Sequence, residues 1–217
     1  MIRNIKDSTP LNIATMTTSQ WYRVLLEDEV TMFEPEDSPR QYKLTKVELA
    51  SPDTDWVTSW RRARLRGLGS EGTSFLWKLL HQLLPTEERL ARCKLNTTAN
   101  CKLCPSPVTA DQAHCLLDCV STKEMGGWLL SLIRSHDASV TAAGLLRLEF
   151  QCDDNIEMPL VWITAQTLLH LWGVRSKGKK VEKYATRATL ENKISLLRET
   201  RHQNEYELIK EMFENNM

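Results

Sequence analysis

The chain of 217 residues carries 28 basic and 28 acidic side chains, and 41% of its residues are apolar. That length suits one domain or two small ones, and that apolar content supports a real core and excludes wholesale disorder. Balanced charge excludes reading partners from net charge, so only its distribution informs.

The opening stretch MIRNIKDSTPLNIATM holds charges and no apolar block. No secretory leader is expected there, and the expectation is an intracellular chain with reduced thiols. Ser19 to Leu26 reads as a short helix with Trp21, Leu25 and Leu26 on one side. Glu27 to Asp37 holds six acids and no base, and Pro35 and Pro39 among the acids predict a solvated loop. Tyr42 to Leu49 alternates weakly and predicts a short strand. Residues 1–55 are read as an N-terminal extension with an acidic loop.

Residues 56–124 are read as basic helices plus a cysteine-rich module. From Arg61 to Lys102 there are nine bases and three acids. Asp53 or Thr54 is expected to cap a helix, with Asp55 in its first turn. Trp56, Trp60 and Arg64 follow at helical spacing, and Gly67 and Gly69 are expected to end it. Phe75, Leu76, Leu79, Leu80, Leu83 and Leu84 predict a second helix stopped by Pro85. Thr86-Glu87-Glu88 predicts the start of a third, with a capping hydroxyl and two acids in the first turn.

Residues 125–217 read as helical throughout. Trp128 to Ile133 is apolar, and Ser139 to Leu148 is a candidate helix. Pro159 suits a first helical position. Met158 to Val174 contains Thr164, Gln166, Thr167 and His170 and is short for a membrane span. It reads as a buried helix, so no membrane is expected; no small-molecule substrate is expected either. Gly173 to Lys180 reads as a basic joint. Tyr184, Ala188, Leu190, Ile194 and Leu197 predict a long amphipathic helix, with Leu208, Ile209, Met212 and Phe213 on a shorter one, separate or continuous with it.

The densest pattern is Cys101-x2-Cys104-x9-His114-x4-Cys119. Two cysteines two residues apart can bend a turn so that both sulfurs face one point, and His-x4-Cys can bring a second pair. Zinc takes four tetrahedral ligands drawn from thiolate and imidazole. Pro105, Pro107 and Thr109 suit a small loop between the pairs. So small a module cannot own a core, and a metal would substitute for one. Other readings are inert buried cysteines and a redox dithiol at Cys101 and Cys104. Cys115 lies four residues before Cys119, so a four-cysteine site without His114 is also open.

FLWKLLHQLLPTEERL, CKLC and AHCLLDC together resemble the reverse-transcriptase zinc-binding domain of non-LTR, LINE-type retrotransposon polyproteins. Phe75, Trp77, Leu84, Pro85, Thr86, Leu90, Cys101, Cys104, His114 and Cys119 match its pattern in order. The later stretches PLVWITAQTLLHLWGVR and SLLRETR look like the final helices of such polyproteins. The polymerase's Tyr/Phe-x-Asp-Asp hairpin is absent from this sequence, as is an endonuclease. The resemblance therefore implies a fragment that binds nucleic acid without catalysing polymerisation.

Basic residues agree with that implication. Arg61, Arg62, Arg64 and Arg66 offer phosphate-matched forks, and Arg89, Arg92, Lys94 and Lys102 lead into the cysteine cluster. The opposing reading is a face paired with acids, docked on the Glu27–Asp37 loop. Trp56, Trp60 and Trp77 could stack bases or fill the core. Arg175, Lys177, Lys179, Lys180 and Lys183 form a second basic cluster or a plain exposed joint. Asp111, His114 and Asp118 resemble a hydrolytic set, but a four-ligand metal site leaves no position for water.

The expected fold is mainly α: a helical array with a small zinc-stapled Cys-Cys-His-Cys module. The expected function is non-catalytic zinc-dependent binding of RNA or single-stranded nucleic acid. The alternative is a helical protein–protein module with a purely structural zinc, docking a partner through its C-terminal helix.

Overall fold

The computed structural model describes residues 2–3, 10–11, 53–65, 67–198 and 203–216. The predicted helix at 19–26, acidic loop at 27–37 and strand at 42–49 lie outside them, as does Arg66. Ile2–Arg3 (β1) pairs antiparallel with Pro10–Leu11 (β2), Ile2 opposite Leu11. The rest is mainly α, as expected.

Helix α1 spans Trp56–Arg62. Its cap is Asp55, whose carboxylate accepts from the Thr58 N–H at 3.1 Å, one residue later than the sequence indicated. Gly69 does not close this helix; it opens α2, Gly69–Leu80, which buries Phe75, Leu76, Leu79 and Leu80 on one side. Pro85 does not stop α2 either. Gln82 adopts φ 54° and the Leu83 N–H bonds back to the Lys78 carbonyl at 2.7 Å, a Schellman end without glycine. The early stop turns Leu83 and Leu84 into the interior. Helix α3, Glu87–Arg92, starts as predicted, with the Thr86 hydroxyl accepting from the Arg89 N–H.

A single π-helical turn covers His114–Asp118, and α4 follows over Lys123–Arg134. Buried Met125, Leu129, Leu132 and Ile133 define the inner face of α4. Gly126 lies on that face against the π turn, where a Cβ would sit 2.8 Å from Leu117 Cα and 2.9 Å from the Leu116 carbonyl oxygen. Two backbones approach this closely only where one residue lacks a side chain. Short α5, Ala142–Leu146, is capped by Thr141 and is narrower than the predicted 139–148.

The centre is α6, Asp154–Arg175. It contacts α2, α4, the π turn and both final helices, so it is apolar nearly all round. Among the described residues no helix is long and apolar enough to cross a membrane. Pro159 is not a first-turn residue but lies inside α6. Its missing N–H leaves the carbonyl four residues back, on exposed Asn155, without a helical donor. Buried Gln166 donates to the Leu68 carbonyl and accepts from Lys193 Nζ at 2.7 Å, linking α2, α6 and α7.

Helices α7 (Lys183–Arg198) and α8 (Gln203–Asn216) pack on each other and on α6. Leu190, Ile194 and Leu197 are buried on α7, while Tyr184, expected on the apolar side, is 84% exposed. Tyr206, Ile209, Met212 and Phe213 are buried on α8, with Phe213 edge-on to Trp128 of α4. Each such burial contributes on the order of 2 kcal/mol, so packing rather than helix propensity holds α8. One apolar cluster includes residues on both sides of position 124.

An acid anchors α1 to α6. Both Glu157 oxygens accept from Arg61 at 2.6 Å, and Arg62 Nε donates to the same carboxylate at 2.9 Å. Arg62 is 5% exposed; it also donates to the Leu148 carbonyl and stacks over the Phe150 ring. Hydrogen bonding from Arg61, opposed by burial and reinforced by Arg62, holds the Glu157 carboxyl below the usual range.

Gly126→Ala should destabilise the chain by about 1–3 kcal/mol through this overlap. Gly127→Ala, one residue on with nothing within 4 Å, should stabilise it by about 0.5–1 kcal/mol. Urea melts of the two variants decide this; equal effects would refute the close contact. Glu157→Gln should cost roughly 2 kcal/mol at neutral pH, where the carboxylate is ionised. A lowered folded-state pKa contributes stability above the ordinary carboxylate range and loses it as pH falls through the folded value. The gap between variant and parent should therefore narrow in acid melts.

Candidate metal centre

The segment between α3 and α4 builds a site from two short pieces. Asn100 and Thr109 form a one-rung antiparallel bridge, closed by Cys101 N–H to Val108 O at 2.8 Å and Ala110 N–H to Ala99 O at 2.9 Å. Cys101 and Cys104 lie on the bends inside this loop, with Pro105 and Pro107 exposed. The π turn supplies the second pair. Its Cys119 N–H reaches the His114 carbonyl at 2.7 Å, so the widened turn brings the first and sixth residues together. The Asp111 carboxylate accepts from the His114 N–H at 2.7 Å and fixes the turn's entry.

One ligand atom from each of Cys101, Cys104, His114 and Cys119 lies within 4.8 Å of all the others. Cys119 Sγ is 3.7 Å from Cys101 Sγ and 3.8 Å from Cys104 Sγ, and Cys104 Sγ is 3.4 Å from His114 Nε2. Around a tetrahedral zinc with sulfur at about 2.3 Å, neighbouring sulfurs fall about 3.8 Å apart and sulfur and nitrogen about 3.6 Å. Donor type, number and spacing therefore fit zinc. A disulfide needs about 2.05 Å, and all six cysteines are free. Only Cys101, Ala110, Cys115 and Cys119 are buried in the module's own apolar cluster, with Leu103, Cys104 and Trp172 packed against it.

Cys115 lies outside the four-atom group. It is fully buried beside it, and burial pushes its thiol upward, which keeps it protonated. Burial also raises the Cys104 thiol, helped by the neighbouring sulfurs. At Cys101 burial acts in the same direction but is outweighed by the Leu103 N–H, His114, the Cys104 N–H and Arg175, so its thiol falls to about 6. Ser121 Oγ lies 3.3 Å from Cys119 Sγ. Arg175 Nη2 lies 3.5 Å from Cys101 Sγ and 3.0 Å from Glu87 Oε2. Asp111-x-x-His114 is a readable capping pattern. Nothing local marked Arg175 or Ser121.

The basic residues divide. Arg62 and Arg89 are each 5% exposed. Arg62 is held by Glu157, and Arg89 donates to the Gln82 carbonyl at the end of α2. Both are internal ties, although Arg89 also borders the second cleft described below. Arg61 is exposed but bidentate on Glu157, so the acid partner of this face is on α6. Arg92 is exposed and pairs with Glu88 one turn away. Arg64, Lys94 and Lys102 are exposed and make no ion pair among the described residues. Arg175 leaves the second basic cluster altogether, because it is buried.

Half-buried Trp56, Trp60 and Trp77 border two clefts, together termed the trough, and half-buried His81 sits against Trp60 and Trp77. Trp56 stacks on Trp60 at 5.7 Å, Trp60 meets His81 at 4.6 Å, and His81 meets Trp77 at 4.3 Å. Trp60, Trp77, Arg64, Thr73 and Ser74 enclose a cleft of about 190 Å³. Trp56 leads into a second cleft of about 350 Å³, bordered by Glu88, Arg92, Asp111, Gln112 and Arg147 among others.

Residues 43–125 match the family described as zinc-binding in reverse transcriptase, which is a zinc-binding and not a catalytic domain. No curated protein and no solved structure matches the chain. The sequence match and the Cys101, Cys104, His114 and Cys119 cluster within it fit a reverse-transcriptase zinc-binding domain over residues 43–125.

Proposed function

We propose that this is a non-catalytic, zinc-dependent module that binds RNA or single-stranded DNA along the tryptophan-lined trough. The observation that carries the reading is the run Trp56, Trp60, His81 and Trp77 with Arg64 at one end and Arg92 and Arg147 at the other. Ring faces accept any base, at about 1–3 kcal/mol per stacked base, while arginines neutralise phosphate. The Arg92–Glu88 pair is exposed and weak, so a phosphate can compete for the guanidinium.

Cys101, Cys104, His114 and Cys119 would hold the zinc. Four protein ligands leave no open coordination position, so the ion supplies folding energy and not hydrolysis. Asp111, Gln112 and Ala113 line the trough and run directly into His114. Metal binding and the trough wall are thereby linked. The competing reading docks a partner on the terminal helix from Val181; Leu190, Ile194 and Leu197 of that helix are buried in this chain's own core, while Tyr184 and Leu196 are exposed.

Metal analysis of the purified chain should give one zinc per chain. Cys104→Ser should lose most of it and melt earlier, whereas Cys115→Ser should keep it. A melting curve indifferent to Cys104→Ser would refute a structural ion. Titration with unstructured RNA should show affinity falling as salt rises. Trp60→Ala and Trp77→Ala should each weaken binding by about 1–3 kcal/mol, and Arg64→Ala should reduce the salt slope by about 0.7. Absence of binding at low salt, or binding blind to salt, would exclude this function.

A further inference from the structure

Arg175 is the one buried charge that the proposed function leaves unexplained. Its side chain is 4% exposed at the last turn of α6, and the same nitrogen faces Glu87 Oε2 and Cys101 Sγ. A buried guanidinium persists only where anions compensate it. Burial alone would disfavour its charge, and the Glu87 carboxylate at 3.0 Å compensates it. Glu87 would suffice for one ion pair. The additional approach to sulfur needs its own explanation.

The chemistry of the ligand set supplies one. Three thiolates around a divalent ion leave the cluster with one excess negative charge. Cys101 is 6% exposed and Cys119 fully buried, so water does little to solvate that charge. A guanidinium N–H directed at a thiolate offsets the charge and withdraws electron density from the sulfur. Partners of this kind, beyond the ligands themselves, set metal affinity and ligand reactivity.

We propose that Arg175 is a positioning residue of the zinc site, donating to the Cys101 thiolate and, through Glu87, clamping α3, α6 and the cysteine loop together. The proposal rests on the zinc reading above. Its consequence is that the metal centre is completed from outside the matched segment, since Arg175 lies beyond residue 125. Trp172, one turn earlier on α6, packs on the module's small apolar cluster. Residues 43–125 alone therefore lack part of the site's support.

The test uses the full zinc-loaded chain and its Arg175→Met, Arg175→Lys and Glu87→Gln variants. Zinc transfer to a chromophoric chelator should be about 10- to 100-fold faster in Arg175→Met. Arg175→Lys should fall between, since it restores the charge but not the fork. Glu87→Gln should show a smaller increase. Iodoacetamide, whose iodide the sulfur displaces, should modify Cys101 first in Arg175→Met, as mapped by mass spectrometry. The cobalt-substituted variant should show its thiolate charge-transfer bands at lower energy. Glu157→Gln, which loosens the α1–α6 contact away from the cysteines, is the control for general loosening of the fold. If it releases zinc as fast as Arg175→Met with unshifted cobalt bands in both, Arg175 is only a packing residue. Zinc-loaded parent and Arg175→Met chains that behave alike overturn this proposal alone; a parent chain that holds no zinc overturns the zinc reading with it.

Discussion

Three sulfurs and an imidazole lie within 4.8 Å of one another in a segment with almost no apolar core of its own. Thiolates so placed repel, and burying them without compensation is costly. A cation at their centre, as proposed, would turn that repulsion into an attraction that folds the loop. The one-rung bridge at Asn100 and Thr109 and the π turn at His114 are both weak elements alone. They gain a fixed geometry only by sharing the site, and through Asp111 to Ala113 they pass it to the trough wall.

Helix α6 is the scaffold against which this small module is held. Its N-terminal half receives α1 through Glu157, its middle receives α2 and α7 through Gln166, and its last turns reach the cysteines through Trp172 and Arg175. A helix with neighbours on every side needs apolar residues on every side, which is why no polar stripe is visible in its sequence. Two of its buried side chains are bridges: Trp162 donates to the Gly67 carbonyl, and Gln166 joins two neighbouring helices.

The distribution of arginines shows how little charge counts reveal by themselves. Arg62, Arg89 and Arg175 are drawn inward by a carboxylate, a carbonyl at a helix end and a thiol. Each buries a long apolar stem and donates to an internal acceptor. Of the candidate phosphate contacts, Arg61, Arg64, Arg92, Lys94 and Lys102 are exposed, and Arg61 and Arg92 are already paired with acids.

The mainly α architecture, the Thr86 cap, the apolar central helix and the Cys-Cys-His-Cys grouping were all legible in the sequence. They are written in local spacing: a hydroxyl before two acids, apolar residues at helical intervals, ligands around a proline-bearing loop. The end of α2 was not legible, because Gln82 takes a left-handed conformation that glycine usually announces. Pro159 inside α6, the burial of Arg62 and the approach of Arg175 to Cys101 were not legible either. The partners of those two arginines lie 95 and 74 residues away in sequence. A side chain's local pattern states what it can bond to; only the packing of distant helices decides which charge is left in water and which is drawn into the core.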